Sequence, residues 1–147
     1  MDVQSPGPDI EELVLFTVGN LLCGLDIRQV QEIGSRLEIT AVHHAPPYVR
    51  GVINLRGQLL TVIDLRRKLG LPPLDLEDGM RIVVTRGPQG LLGLLADSVA
   101  DIVDIDSERL ESPPGHIEEI PGVFFTAIYK MADRLAAVLD LPQVLAK

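Results

Sequence analysis

Two blocks of this chain occur twice, in the same order, and that repetition limits the architectures open to it. Gly24, Leu25, Val30, Glu32 and Ile33 match Gly93, Leu94, Val99, Asp101 and Ile102 without a gap, at an offset of 69 residues. Further on, Leu59, Val62, Ile63, Asp64, Leu65 and Leu69 match Leu135, Val138, Leu139, Asp140, Leu141 and Leu145 at an offset of 76. Apolar alternation alone produces partial matches among Leu and Val. What sets these apart is that two blocks keep their order, which points to a duplicated unit.

The unit is clearest between Val49 and Leu71, VRGVINLRGQLLTVIDLRRKLGL. Val52, Ile53 and Leu55 form a β-rich run, Arg56-Gly57 is a turn signal, and Leu59 to Ile63 form a second run, so a hairpin is expected. Asp64 then opens a short helix, with Arg66, Arg67 and Lys68 in its last turn and Gly70 just past its end. Before this unit, residues 1–12 mix Pro, Gly and acids and are expected to be a disordered lead. Leu13 to Val18 and Leu21 to Leu25 read as a hairpin, IRQVQEI as a strand, and Ile39 to Val42 as another short strand. After a join rich in proline and acids at 72–79, Arg81 to Arg86, Leu91 to Ala96 and Val99 to Ile105 read as strands. Val123 to Tyr129 and Leu135 to Leu139 read as a hairpin, and a short helix is expected over 140–146.

Five short strands in each half favour closed barrels, since closure removes exposed edges. The expected fold is mainly β: two packed five-stranded barrels with short helical segments, the first over about 13–71 and the second over about 80–139. Exchange of terminal segments between the barrels is left open. A single barrel of this size buries too little surface to be secure alone, and packing two together helps both. The interior must be aliphatic, because Trp is absent and aromatics are 3% of the chain.

The formal charge of -8 excludes the net basic footprint that a nucleic-acid surface needs. Arg50 to Lys68 runs against that balance, with five basic residues and one acid, and helix-end complementarity with a solvated face accounts for Arg66, Arg67 and Lys68. The opening Met1-Asp2 carries no charged-then-apolar leader, and no run is long enough to span a bilayer, so a cytoplasmic protein without direct membrane insertion is expected.

No catalytic constellation emerges. His43 and His44 are adjacent, and adjacent side chains of an extended segment point to opposite faces, which makes a poor chelating pair. His116 stands alone, and Cys23 lies in an apolar run as a small hydrophobe. No carboxylate has a candidate nucleophile beside it, and phosphate-cradling glycine patterns are missing. No enzyme, metal site or cofactor is expected. What is distinctive is an asymmetry: Asn54, Arg56 and Gly57 form a turn in the first half only, where the second half has Met131-Ala132-Asp133. An arginine there presents a rigid five-donor fork, suited to a carboxylate of its own barrel or of a partner, or else is a solvated turn residue.

VQEIGS, then PPYVRGVINLRGQLLTVIDLRRKLGL, then GLLGLLADSVADIVDI, then DRLAAVLDL closely resemble, in that order, the CheW family of chemotaxis coupling proteins. The resemblance covers about Leu13 to Leu145, and the run RGVINLRGxxxxVIDLR is its most specific part. It implies two SH3-like five-stranded barrels. It also implies a non-catalytic adaptor between the cytoplasmic tip of methyl-accepting chemoreceptors and the regulatory domain of a CheA-type histidine kinase. Carried onto this chain, the receptor-facing residues are Val30, Gly51, Ile82 and Ile102. Glu32 and Arg56 are a pair that holds the signalling surface in shape, with Asn54 and Gly57 as the turn signature. The kinase-facing residues are Ile27, Arg50 and Val52. Gly51 is expected to let a receptor helix approach the backbone closely.

The departures from the family pattern are Phe125-Thr126-Ala127, where glycine is common at the third position, and His43-His44. They leave open a scaffold in a non-flagellar pathway, controlling surface motility, development or a second-messenger enzyme. A small-molecule or purine binder is disfavoured by the absent phosphate loop and the scarcity of aromatic rings. A structural subunit that spaces arrays without transmitting signal is not distinguishable from sequence.

Overall fold

The computed structural model describes residues 10–35, 38–75 and 79–146. The first copy of the unit comprises β1 (Glu12–Val18), β2 (Leu21–Asp26), β3 (Val30–Ser35), β4 (Val49–Leu55), β5 (Gln58–Asp64) and α1 (Leu65–Lys68). The second comprises β6 (Arg81–Gly87), β7 (Gly90–Ala96), β8 (Ser98–Asp104), the two-residue β9 (Leu110–Glu111), a small hairpin of β10 (His116–Ile117) and β11 (Ile120–Pro121), then β12 (Phe125–Lys130), β13 (Leu135–Leu139) and α2 (Leu141–Leu145). Both helices start as their sequences dictate. The Asp64 carboxylate accepts the Arg67 N–H, and the Asp140 carboxylate accepts the Gln143 N–H, each satisfying a helix-start donor that would otherwise be orphaned.

The strands are not partitioned by chain halves, as a division at 13–71 and 80–139 would have it. One sheet runs β3-β6-β7-β5-β4, the other β8-β1-β2-β13-β12-β9. Each copy therefore hands its first hairpin to the other copy's barrel. The exchange is reciprocal at the level of single residues. Val62 pairs with Gly93 across the parallel β5–β7 seam, and its counterpart Val138 pairs with Gly24 across β13–β2. Ile33 pairs with Val83, and Ile102 with Val14. Bulges interrupt β3 between Val30 and Glu32, and β1 opposite β8 between Leu15 and Phe16. The matched glycines are explained by the packing inside: a Cβ on Gly93 would lie 2.7 Å from Ile82 Cγ2, and one on Gly24 would lie 3.1 Å from Leu13 Cδ1.

Three apolar clusters follow from this exchange. Ile53, Leu60, Val62, Met80, Ile82, Val84 and Leu95 fill the first barrel, and Leu13, Leu15, Ala127, Tyr129, Ala136 and Val138 fill the second. The largest, with Phe16, Leu25, Ile63, Leu65, Val83, Leu94, Phe125 and Leu139 among its members, draws on both copies and joins the barrels. Hence β6 is buried on both faces from Ile82 to Thr85, with Ile82 and Val84 turned into the barrel. A salt bridge reinforces the junction: Asp97, between β7 and β8, accepts from Arg66 of α1 at 2.7 Å and from the Gly19 N–H in the β1–β2 turn at 2.8 Å.

Three local expectations are corrected. Ile27 does not belong to a strand; Ile27–Gln29 is a 3-10 turn because the Asp26 carboxylate accepts the Arg28 N–H and diverts the backbone. Ile39 to Val42 is not a strand either, and among the described residues its one bridge is Thr40 to Val52. Val123 lies in another 3-10 turn, Gly122–Phe124, so that β12 begins at Phe125. Of the expected lead, residues 1–9 lie outside the described residues, while Glu11 accepts a backbone hydrogen bond from Ile105 and Glu12 is already in β1.

Candidate interaction surface at the Asn54–Gly57 corner

β4 and β5 are joined by two residues, Arg56 (φ 54°) and Gly57 (φ 84°), the left-handed pair of a tight hairpin turn. Asn54 Oδ1 accepts the Gly57 N–H at 2.8 Å and fixes the turn. From there Arg56 Nη1 donates to Glu32 Oε1 at 2.5 Å. Glu32 lies on β3 and Arg56 beside β4, the two terminal strands of the first sheet, so the pair spans the seam where that sheet closes. The Glu32 hydrogen bond pushes the Arg56 pKa above its ordinary value. Among the described residues the second copy has no such pair: Asp101 Oδ1 accepts the neighbouring Ile102 N–H, and the β12–β13 loop is closed by Met131 N–H to Arg134 O.

Around this corner the surface is slightly concave and mixes polar with apolar side chains. Leu59 is 69% exposed and pairs in register with Asn54. It lines a shallow depression of about 320 Å³ with Glu38, Thr40, Val52, Ile53 and Asn54. Glu32, Val52, Asn54, Arg56 and Gly57 thus belong to one neighbourhood. Leu59 and Thr40 were missed by sequence reasoning. The signal for Leu59 was available, since period-two alternation along β5 turns it outward beside Thr61, opposite the buried Leu60 and Val62.

The remaining candidates separate. Val30 is half-buried against the inter-barrel cluster, and Ile102 on β8 is 49% exposed. Their counterparts in the other copy, Val99 and Ile33, behave alike, Val99 packed on the same cluster and Ile33 exposed. Ile82 is corrected: its side chain is wholly inside the first barrel and cannot touch a partner. Gly51 is corrected too. It is buried, and a Cβ there would lie 2.2 Å from Thr40 O and 2.8 Å from Ile39 Cγ2, so what approaches its backbone is this chain's own 39–40 segment. Ile27 is half-buried in its turn. Arg50 has its guanidinium committed internally, to Asp64 Oδ2 and to Leu74 O, both at 3.1 Å. His43 and His44 are exposed, and among the described residues no group of three His, Cys, Asp or Glu side chains is placed to hold a metal. No helix among the described residues is long and apolar enough to cross a membrane.

Comparison with known proteins agrees with this geometry. The model of the CheW-like domain family matches residues 12–147. The probable chemotaxis protein CheW of Rhizobium etli is 32% identical over 139 residues, covering 95% of this chain and 90% of its own. The chemotaxis protein CheW of Bacillus subtilis is 31% identical over 137 residues, covering 93% and 88%. The crystal structure of the scaffolding protein TtCheW from Thermoanaerobacter tengcongensis superposes with a TM-score of 0.85 at 28% identity, covering all of this chain and 95% of that one. The two barrels are thus the SH3-like pair of that structure. With the family model spanning nearly its whole length and the duplicated-barrel fold shared, this chain belongs to the CheW-like family.

Proposed function

We propose that this protein is a non-catalytic adaptor that couples the cytoplasmic tip of methyl-accepting chemoreceptors to the regulatory domain of a CheA-type histidine kinase. Among structural observations, the one that carries this reading is the unrepeated corner of a twinned scaffold, braced by Glu32 and Arg56 and faced by the exposed Leu59. A duplicated fold has no need of that bracing in one copy alone. The kinase side is assigned to the first barrel around Val52 and Leu59, with Arg50 positioning α1 through Asp64 instead of touching the partner. The receptor side is assigned to Val30 and Ile102 on β3 and β8. Ile82 fills the first barrel and Gly51 seats the 39–40 segment on β4.

An adaptor of this kind needs two surfaces in fixed relation, so that a small receptor movement changes the relative stability of kinase states. The shared cluster joining the barrels and the Arg66–Asp97 bridge supply that rigidity. The protein would act in the cytoplasm, at membrane-associated arrays reached through its partners. Pull-down of the tagged chain from its source cell tests this. Co-purification of a chemoreceptor and a histidine kinase is expected, and recovery of neither contradicts it.

A further inference from the structure

The two copies differ in charged side chains set on the same backbone frame. Arg50 and Thr126 occupy equivalent bulges: Val49 and Gly51 pair with Ile63 and Val62, as Phe125 and Ala127 pair with Leu139 and Val138. The Asp64 N–H donates to Tyr48 O at 2.7 Å, and the Asp140 N–H to Phe124 O at 2.8 Å. Oδ1 of each aspartate accepts the N–H three residues on, at 3.3 and 3.2 Å. In the first copy Oδ2 of Asp64 accepts from Arg50 Nη1 at 3.1 Å. In the second copy Thr126 stands in place of Arg50, and Pro142 in place of Arg66. Two long side chains are gone, and the space is an open groove of about 230 Å³ whose lining includes Ile10, Arg28, Thr126, Leu139, Asp140 and Leu141. Among the described residues Oδ2 of Asp140 has no partner.

We propose that this groove takes an arginine side chain from a partner protein, its guanidinium docking on Asp140 as Arg50 docks on Asp64. The internal copy supplies the chemistry of the ligand, because the same cradle in the first copy is filled by a guanidinium. Asp26, which also lines the groove, is occupied by Arg28 through both oxygens, at 3.1 and 2.6 Å. The open charge is therefore the single carboxylate of Asp140, too few ligands for a metal ion and of the wrong sign for an anion. Ile10, Leu139 and Leu141 offer an apolar wall to the arginine stem, and the Thr126 hydroxyl can accept from a second guanidinium N–H. The inference rests on the repeat geometry and not on the partners assigned above.

The test is a titration of the full-length 15N-labelled protein with N-acetyl-arginine amide, with N-acetyl-lysine amide as comparison, read by amide shifts. Saturable shifts confined to residues 26–29 and 139–143 are expected, at least threefold weaker with the lysine compound. They should vanish in Asp140→Asn, which keeps the helix cap because asparagine caps as well as aspartate. They should vanish also in Thr126→Arg, whose own side chain fills the groove and raises the melting temperature. Absence of shifts at these residues in the natural protein, or shifts that survive Asp140→Asn, would overturn the proposal.

Discussion

Arg56 Nη1 lies 2.5 Å from Glu32 Oε1, and this one contact joins the two terminal strands of the first sheet. It is an exposed pair, with the Arg56 side chain 73% accessible, so its consequence is the shape of the corner more than the stability of the fold. Arg56→Glu is expected to leave the thermal midpoint essentially unchanged while weakening co-sedimentation with receptor and kinase several-fold. The charge-swapped double variant Glu32→Arg, Arg56→Glu should recover part of that loss. A double variant as defective as either single one would remove the pair from the account.

Gly51→Asp is expected to act on the fold. The new Cβ meets the Thr40 carbonyl at 2.2 Å, where Thr40 and Val52 exchange backbone hydrogen bonds of 2.9 and 2.8 Å. The 38–41 segment must leave the edge of β4, at a cost of about 2 kcal/mol by the usual scale of such clashes and lost pairings. Urea unfolding together with hydrogen exchange at Thr40 and Val52 checks this. Native stability and native protection at both amides would contradict it.

Most strands, turns and helix starts were legible because each has a local cause: Asp64 and Asp140 before short helices, Arg56-Gly57 between β-rich runs. The duplication was legible as well. Its reciprocal exchange was not, since the pairings of Val62 with Gly93 and Val138 with Gly24 join residues far apart in sequence and leave no local pattern. The same limit explains the site. Ile82 stands as a surface candidate only until β6 is seen to turn it into the first barrel, against Ile53, Leu60, Val62 and Leu95, and Gly51 reads as open only until Thr40 is placed over it. Glu32 and Arg56 could be paired through the family resemblance, whereas Leu59 needed the structure to show how far it stands into solvent.

The two copies should respond differently to loss of their helix-capping aspartates. Asp64 is 2% exposed and holds both the Arg67 N–H and Arg50, so Asp64→Ala removes a cap and strands a half-buried arginine. A loss of about 3 kcal/mol is expected. Asp140→Ala removes the cap alone, at about 1 kcal/mol. Chemical denaturation of the two variants measures the difference, and equal losses would show that Arg50 contributes nothing to its side.

Cys23 is fully buried in β2, and burial, with Asp97 nearby adding to the effect, pushes its thiol far above the ordinary cysteine range. The folded protein should therefore be inert to Ellman's reagent at neutral pH and become reactive on unfolding in urea, in parallel with the loss of β structure. Rapid stoichiometric labelling of the native protein would mean that β2 opens readily, and with it the junction between barrels.

The adaptor role itself is tested most directly by reconstituting a CheA-type kinase with receptor signalling fragments, with and without this protein, and measuring kinase autophosphorylation as receptor ligand is varied. Control of the kinase by the receptor should require the natural chain and be lost with Arg56→Glu. Receptor control of equal strength in its absence would contradict the account.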